Sequence, residues 1–319
     1  MGGTRAPPPV RIVYATVSGS PAGAETAHRA GFVGLVGRPN VGKSTLMNRL
    51  VGAKVAAVSA KPQTTRNRIA GIVTRPEAQI VFVDTPGIHE ARAPLNTRMV
   101  AVARQALDDS DIRVLVLDAA RGVTAEDRAL ARESSAAAPA AIVVVSKTDL
   151  VSRDALLAVC AAAATLLPDV PVVPVSGATG DNVERLLALI AEALPSGPAL
   201  YPADQLSDQS ERFLAAEIVR EKVIEQTRDE LPYATAVVVD AFREEPERGL
   251  VVIQASVLVE RASQKGIVIG ERGQRIREIG RAARVELEAI FDCRIFLELH
   301  VKVVPGWSRN PRVLTDLGL

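Results

Sequence analysis

Gly37-Arg38-Pro39-Asn40-Val41-Gly42-Lys43-Ser44 decides the fold. It has the spacing G-x-x-x-x-G-K-[ST], follows the apolar run 32–36 and precedes a helical pattern. A strand, a glycine-bearing turn and a helix in that order make a phosphate-binding loop. The glycines let backbone N–H groups close around a β-phosphate with no Cβ in the way. A helix beginning near Lys43 turns its positive end toward the anion. Lys43 then bridges β- and γ-phosphate oxygens, and Ser44 ligates magnesium. Gly37, Asn40, Val41, Gly42, Lys43, Ser44 and Thr45 form the phosphate side of the candidate site.

Working outward, three further motifs each follow an apolar run. Asp84-Thr85-Pro86-Gly87 comes after 80–83. A carboxylate at that strand end can hold magnesium, and the Gly87 N–H can reach a γ-phosphate. Alone, D-x-x-G is only a turn; its distance from the phosphate loop makes it informative. Thr64 and Thr65 lie between the two motifs, and Thr65 is the favoured magnesium ligand there. Ser146-Lys147-Thr148-Asp149 comes after 142–145. Asp149 can accept hydrogen bonds from guanine N1 and N2. Adenine has no such donor pair, so one carboxylate selects the base by leaving the wrong one unpaired. The Lys147 stem can cover the face of the base. Ser176-Gly177-Ala178 comes after 172–175, and its N–H groups can bind the guanine carbonyl oxygen. Ligands are therefore GTP or GDP with Mg2+. Lys43, Asn40, Thr65 and Gly87 are the candidates for the hydrolytic step.

The short runs 32–36, 80–83, 114–117, 142–145 and 172–175 alternate with helical patterns. That argues an α/β domain with a mostly parallel sheet. The runs 55–58 and 69–73 read as an added antiparallel edge. Residues 1–29, with Pro7-Pro8-Pro9, read as a disordered extension, 30–195 as the nucleotide domain and the proline-bearing 196–208 as a linker. From 209 to 319 the pattern is α-β-β-α-α-β, a second and smaller α+β domain.

The bulk numbers exclude several classes. The chain has 319 residues and a net charge of +1, so no global basic field advertises nucleic acid and any such signal is local. Two distant cysteines make neither a disulfide framework nor a metal cluster; Cys160 and Cys293 read as packing residues in a reducing compartment. No apolar run approaches the roughly 18 residues that cross a bilayer.

In these residues the chain resembles the Era family of GTPases, from about 31 to 319. The resemblance rests on Gly37 to Ser44, Pro62-Gln63-Thr64-Thr65-Arg66, Asp84 to Gly87 with His89, Ser146 to Asp149 and Ser176 to Gly180. It continues through Gln264-Lys265-Gly266-Ile267-Val268-Ile269-Gly270 and Val301-Lys302-Val303 to Trp307. It implies a Ras-like P-loop GTPase domain and a type II KH domain. It also implies binding near the 3′ end of 16S ribosomal RNA and a part in small-subunit maturation. A monomer in the cytoplasm, with peripheral membrane association within the family's range, completes the expectation. Two departures stand out: Ser146 where the family has Asn, and Glu271 where it has Lys. Ile88 occupies the place where many GTPases carry a water-orienting Gln. Asn40, in related GTPases, accompanies a potassium ion beside the phosphates, which would supply the missing positive charge.

Gly270-Glu271-Arg272-Gly273 fits the G-x-x-G turn of a KH domain, where glycines admit a sugar-phosphate backbone. From 265 to 284 there are six basic residues against two acidic ones, although 209–319 as a whole is balanced at 17 and 18. Lys265, Gly270, Arg272, Gly273, Arg275 and Arg277 are the candidate RNA residues, with Ile267, Val268 and Ile269 offering aliphatic contacts to bases. Trp307 reads as a packing anchor. Two other readings compete. A P-loop phosphotransferase would let ATP displace GDP, and a non-catalytic RNA scaffold would not turn GTP over.

Overall fold

The computed structural model describes residues 28–59, 68–84, 108–135, 140–227, 231, 235–310, 313–314 and 317. Its contacts divide the chain into two units, one ending at Gln209 and the other beginning at Ser210. The first contains β1 (Arg29–Val36), α1 (Lys43–Val51), β2 (Ile69–Thr74), β3 (Ala78–Asp84), β4 (Ile112–Asp118) and α2 (Ala125–Ser135). It continues through β5 (Ala140–Ser146), α3 (Arg153–Ala164), β6 (Val172–Pro174) and α4 (Val183–Ala193).

The six strands lie in the order β2-β3-β1-β4-β5-β6, and only the β2–β3 pair is antiparallel. β3 and β4 are buried at every residue. Strands covered on both faces read as continuous apolar runs, which is why the sequence shows them so clearly. Strand order reverses at β1, with β3 on one side and β4 on the other. Ligands of such sheets bind beyond the carboxyl ends of the strands at that reversal. The phosphate loop follows β1 directly.

Residues 55–58, which read as part of an antiparallel edge, are not a strand. Asn48 of α1 takes their backbone instead. Asn48 Oδ1 accepts the N–H of Val55 at 3.0 Å and of Ala56 at 2.9 Å, and Nδ2 donates to the Ala56 carbonyl at 2.8 Å. Backbone groups consumed by a side chain cannot also form a ladder. The antiparallel edge is β2 alone. Arg29, at the end of the supposed extension, is already the first residue of β1.

The segment after α4 is fastened to this sheet. Its Leu206 carbonyl accepts the Ile72 N–H at 2.9 Å, Ser207 Oγ donates to the Ala70 carbonyl at 2.7 Å, and Asp208 Oδ1 accepts the Ala70 N–H at 3.1 Å. Behind it, the fully buried Gln79 spends its whole amide. The oxygen accepts the N–H groups of Leu200 (2.6 Å) and Tyr201 (2.8 Å), and the nitrogen donates to the Tyr201 carbonyl (2.9 Å) and Thr74 Oγ1 (3.0 Å).

The second unit contains α5 (Glu211–Gln226), β7 (Thr235–Glu245), β8 (Leu250–Val259), α6 (Ala262–Ile269), α7 (Gln274–Phe291) and β9 (Arg294–Val303). β8 is central, antiparallel to β7 and parallel to β9. Ile218 and Val219 of α5, Ile253 and Val257 of β8, and Ile279 and Leu287 of α7 form the core beneath. Cys160 and Cys293 pack at the edges of their own units' apolar clusters, and burial pushes both thiols up. Among the described residues, no helix is long and apolar enough to cross a membrane.

Past β9 the chain turns back, and Trp307 is fully buried. Glu260 holds that turn: its carboxylate accepts the N–H of Gly306 at 2.6 Å, the N–H of Ser308 at 3.2 Å and the Ser308 hydroxyl at 2.7 Å. Burial alone would push Glu260 up. The hydrogen bonds from Ser308 and Gly306, with Arg309 nearby, outweigh it and leave the carboxyl below its usual value. A depressed folded-state pKa gives stability that is present above the unfolded value of 4.5 and lost as pH falls through the folded one. Glu260→Gln should therefore cost about 1 kcal/mol at neutral pH. In paired urea melts, the gap between variant and parent should close as the pH drops below the carboxylate range.

Candidate functional site

Each motif residue stands where a strand of the first sheet ends. Gly37 leaves β1, Asp84 closes β3, Asp118 closes β4, Ser146 closes β5, and Ser176 lies just past β6. Parallel register sets Asp84 opposite Leu35 and Asp118 opposite Ser146. The phosphate loop runs so close to β4 that a Cβ on Gly37 would stand 2.6 Å from the Val116 carbonyl oxygen, a separation only glycine tolerates. Asn40 (φ 63°) and Gly42 (φ 101°) take left-handed conformations, and no side chain caps the start of α1 at Gly42. An uncapped helix start facing a curled loop is an anion nest.

Lys43 is buried, and its ammonium donates to the carbonyls of Gly37 (2.9 Å) and Arg38 (3.1 Å). Burial lowers its pKa to about 8, against the attraction of Asp84. A polyphosphate would supply the opposing charge that this desolvated cation calls for. Ser44 Oγ donates to Asp84 Oδ2 at 2.5 Å. A hydroxyl and a carboxylate oxygen in that proximity are the hard donors magnesium takes, so the pair fits the ion. Thr64, Thr65, Gly87, Ile88 and His89 lie outside the described residues.

The base-reading motif is bonded directly to the phosphate loop. Lys147 (φ 58°) donates from Nζ to the Asn40 carbonyl at 2.6 Å and to Asp118 Oδ2 at 2.7 Å. Ser146 Oγ lies 2.5 Å from the Val41 carbonyl and 2.8 Å from that of Leu117. A hydroxyl has one proton, so it serves one carbonyl at a time. The shorter side chain in place of Asn still reaches the phosphate loop. Asp149 accepts from Ser176 Oγ at 2.6 Å, which ties the carboxylate to the loop of Gly177 and Ala178. The candidates Gly42, Ser146, Lys147, Asp149 and Ser176 are thus one connected constellation.

Three further side chains belong to this network: Asp118, Arg38 and Asp127. Asp118 clamps Lys147 from the end of β4, the position where β3 and β5 also carry their functional polar residues; that shared position was the signal. Arg38, inside the phosphate loop, is buried and donates from Nε to the fully buried Asp127 of α2 at 2.8 Å. Asp127 also takes the N–H (2.9 Å) and hydroxyl (2.8 Å) of Thr124. No local pattern marks that pair, because its members are distant in the chain.

In the second unit, a tight turn of Glu271–Gly273 joins α6 to α7, and Gly270 (φ 73°), Arg272 (φ 49°) and Gly273 (φ 76°) are all left-handed. A Cβ on Gly270 would meet Arg275 Cβ at 2.7 Å. Lys265, Arg272 and Arg277 flank the turn with their side chains open to solvent in whole or in part. The Arg275 guanidinium also donates to the Ile267 carbonyl at 2.5 Å and so braces the turn. Val268 is fully buried in the core, so it is not available to bases as the sequence suggested. Ile267 is exposed. His300 is exposed, 3.3 Å from Glu298.

Comparison with known proteins agrees with both units. Residues 32–147 match a family described as 50S ribosome-binding GTPase, and 230–308 match the KH domain family. The chain is 49% identical over 290 residues to a GTPase Era of Geobacter metallireducens, covering 91% of this chain and 97% of that one. It is 46% identical over 299 residues to a GTPase Era of Syntrophus aciditrophicus, covering 94% and 98%. A point variant of Aquifex aeolicus Era bound to GDP.AlF4- superposes with a TM-score of 0.86 at 39% identity, over 91% of this chain and 99% of that one. Era in complex with MgGDPNP and nucleotides 1506–1542 of 16S ribosomal RNA gives the same figures: 0.86, 39%, 91% and 99%.

The constellation predicts that GDP binds far more tightly than ADP. Asp149→Asn should shrink that preference by about a hundredfold, the cost of losing a carboxylate that accepts two hydrogen bonds. Competition titration against a fluorescent guanine nucleotide measures both, and equal affinities for the two diphosphates in the parent would overturn the assignment.

Proposed function

The chain belongs to the Era family of GTPases, and from that premise we propose that its nucleotide cycle serves maturation of the small ribosomal subunit. The RNA partner in this reading is 16S ribosomal RNA near its 3′ end. The observation that carries it is the likeness, over nearly all of both chains, to an Era complex holding nucleotides 1506–1542 of that RNA. The G-x-x-G turn supports it from this chain's own residues. Three left-handed residues there open a path for a sugar-phosphate backbone, and the cations Lys265, Arg272 and Arg277 border it. Glu271 opposes phosphate, and Arg272 beside it offsets that charge. The work is cytoplasmic and done by a monomer, in residues 30–195 for nucleotide and 209–319 for RNA.

Hydrolysis in this reading is a matter of positioning and charge. The phosphate loop's N–H groups and Lys43 hold the β- and γ-phosphates in line. Ser44 and Asp84 would hold magnesium, which would supply positive charge against the phosphate oxygens. Thr65 and the Gly87 N–H complete the grip on the γ-phosphate side. Ile88 cannot polarise water. Asn40, whose carbonyl Lys147 pins, would help hold a potassium ion, which would supply the replacement charge.

Two experiments test the proposal. RNA affinity measured against salt should fall with a log–log slope of roughly −3, from about −0.7 for each of some four phosphates on a single strand. A flat response would remove RNA from this patch. GTP turnover in potassium should exceed turnover in sodium, and Asn40→Ala should abolish the difference. Equal rates in the two salts reject the cation route.

A further inference from the structure

The loop that reads the purine's carbonyl edge is held from outside by a residue of α1. The Ser176 carbonyl accepts the Gly180 N–H at 2.8 Å. The Gly177 carbonyl accepts Arg49 Nε at 2.9 Å, and the Ala178 carbonyl accepts Arg49 Nη2. Three successive carbonyls are therefore taken. In a trans peptide the N–H points opposite to the carbonyl of the same plane. Fixing the Ser176 and Gly177 carbonyls thus fixes where the N–H groups of Gly177 and Ala178 point. Among the described residues, no acceptor takes either of these two N–H groups. The Thr179 N–H, by contrast, is used internally, donating to Ser176 Oγ at 3.0 Å. That same hydroxyl donates to Asp149 at 2.6 Å. The loop thus presents two N–H donors beside a carboxylate acceptor, the complement of a purine carrying a carbonyl next to N–H groups.

We propose that Arg49 is a positioning residue for guanine selection: its guanidinium grips the Gly177 and Ala178 carbonyls and so aims the Ala178 N–H at purine O6. The assignment rests on the guanine-nucleotide reading of the site. Arg49 belongs to the helix that starts at Lys43, so one rigid element carries both the phosphate grip and the brace of the base-edge loop. Contact between them is close elsewhere too. A Cβ on Gly177 would lie 3.3 Å from both the Leu46 nitrogen and Thr45 Cγ2. Arg49 never touches the nucleotide in this scheme. It acts through the Gly177–Ala178 peptide.

The test is a set of calorimetric titrations with three diphosphates on the parent, Arg49→Ala and Arg49→Lys. GDP and IDP both carry O6, whereas 2-aminoadenosine 5′-diphosphate carries an amino group there. Arg49→Ala should weaken GDP and IDP alike, by about tenfold, since an unfixed Ala178 N–H loses roughly one hydrogen bond's worth of affinity. The 2-aminoadenosine nucleotide cannot use that donor and should change by less than about twofold. Arg49→Lys, whose ammonium can reach one carbonyl, should recover part of the loss for GDP and IDP only. A uniform loss across all three nucleotides would mean general loosening and overturn the proposal, as would no loss at all. If the parent itself failed to bind GDP, the fault would lie with the nucleotide reading, and the proposal would fall with it.

Discussion

A single ammonium group, held between a backbone carbonyl and a carboxylate, sets the length of the nucleotide pocket. Lys147 joins the phosphate loop, at Asn40, to the end of β4, at Asp118. Its own motif also carries Asp149. The distance from phosphate grip to base reader is thus a bonded distance rather than a coincidence of packing. Ser146 adds a second tie from the neighbouring strand end to the same loop. Such ties cost side-chain entropy, which is recovered because the parallel sheet has already ordered the strand ends they spring from.

How legible was this in the sequence? The sheet was readable because β3 and β4 are buried on both faces and leave unbroken apolar runs. The nucleotide motifs were readable because phosphate and guanine each demand particular atoms at a turn. The α-β-β-α-α-β order of the second unit was readable from periodicity alone. The error at 55–58 has a specific cause: β-branched residues signal a strand, but Asn48 had claimed the backbone groups the strand would have used. Val268 erred in the other direction. It sits in a run of aliphatic residues beside the G-x-x-G turn, and helical phase alone decides that it faces inward while Ile267 faces out. Arg38 with Asp127, and Arg49, were invisible for a common reason. Each works on a partner far away in sequence, and none was marked by a motif of its own.

The two departures from the family pattern fare differently. Ser146 keeps its tie to the loop with a single proton where an amide has two, so the site loses redundancy and not connectivity. Glu271 stands exposed in the turn, next to the left-handed Arg272. The turn's shape comes from Gly270, Gly273 and the Arg275 brace. The influence of the glutamate is therefore one of charge and leaves conformation alone.

The buried amide of Gln79 has a consequence for where this half of the protein can be cut. The last motif ends at Gly180 and the last helix at Ala193, so a boundary drawn near Leu194 looks natural. Cutting there would strip Gln79 of three of its partners and remove the cover from the outer rim of β2. The sealed interior amide oxygen would lose both of its donors, and a closed rim would become an open one, ready to recruit another chain. The compact unit therefore runs on to Gln209, well past the last residue that meets nucleotide in this reading.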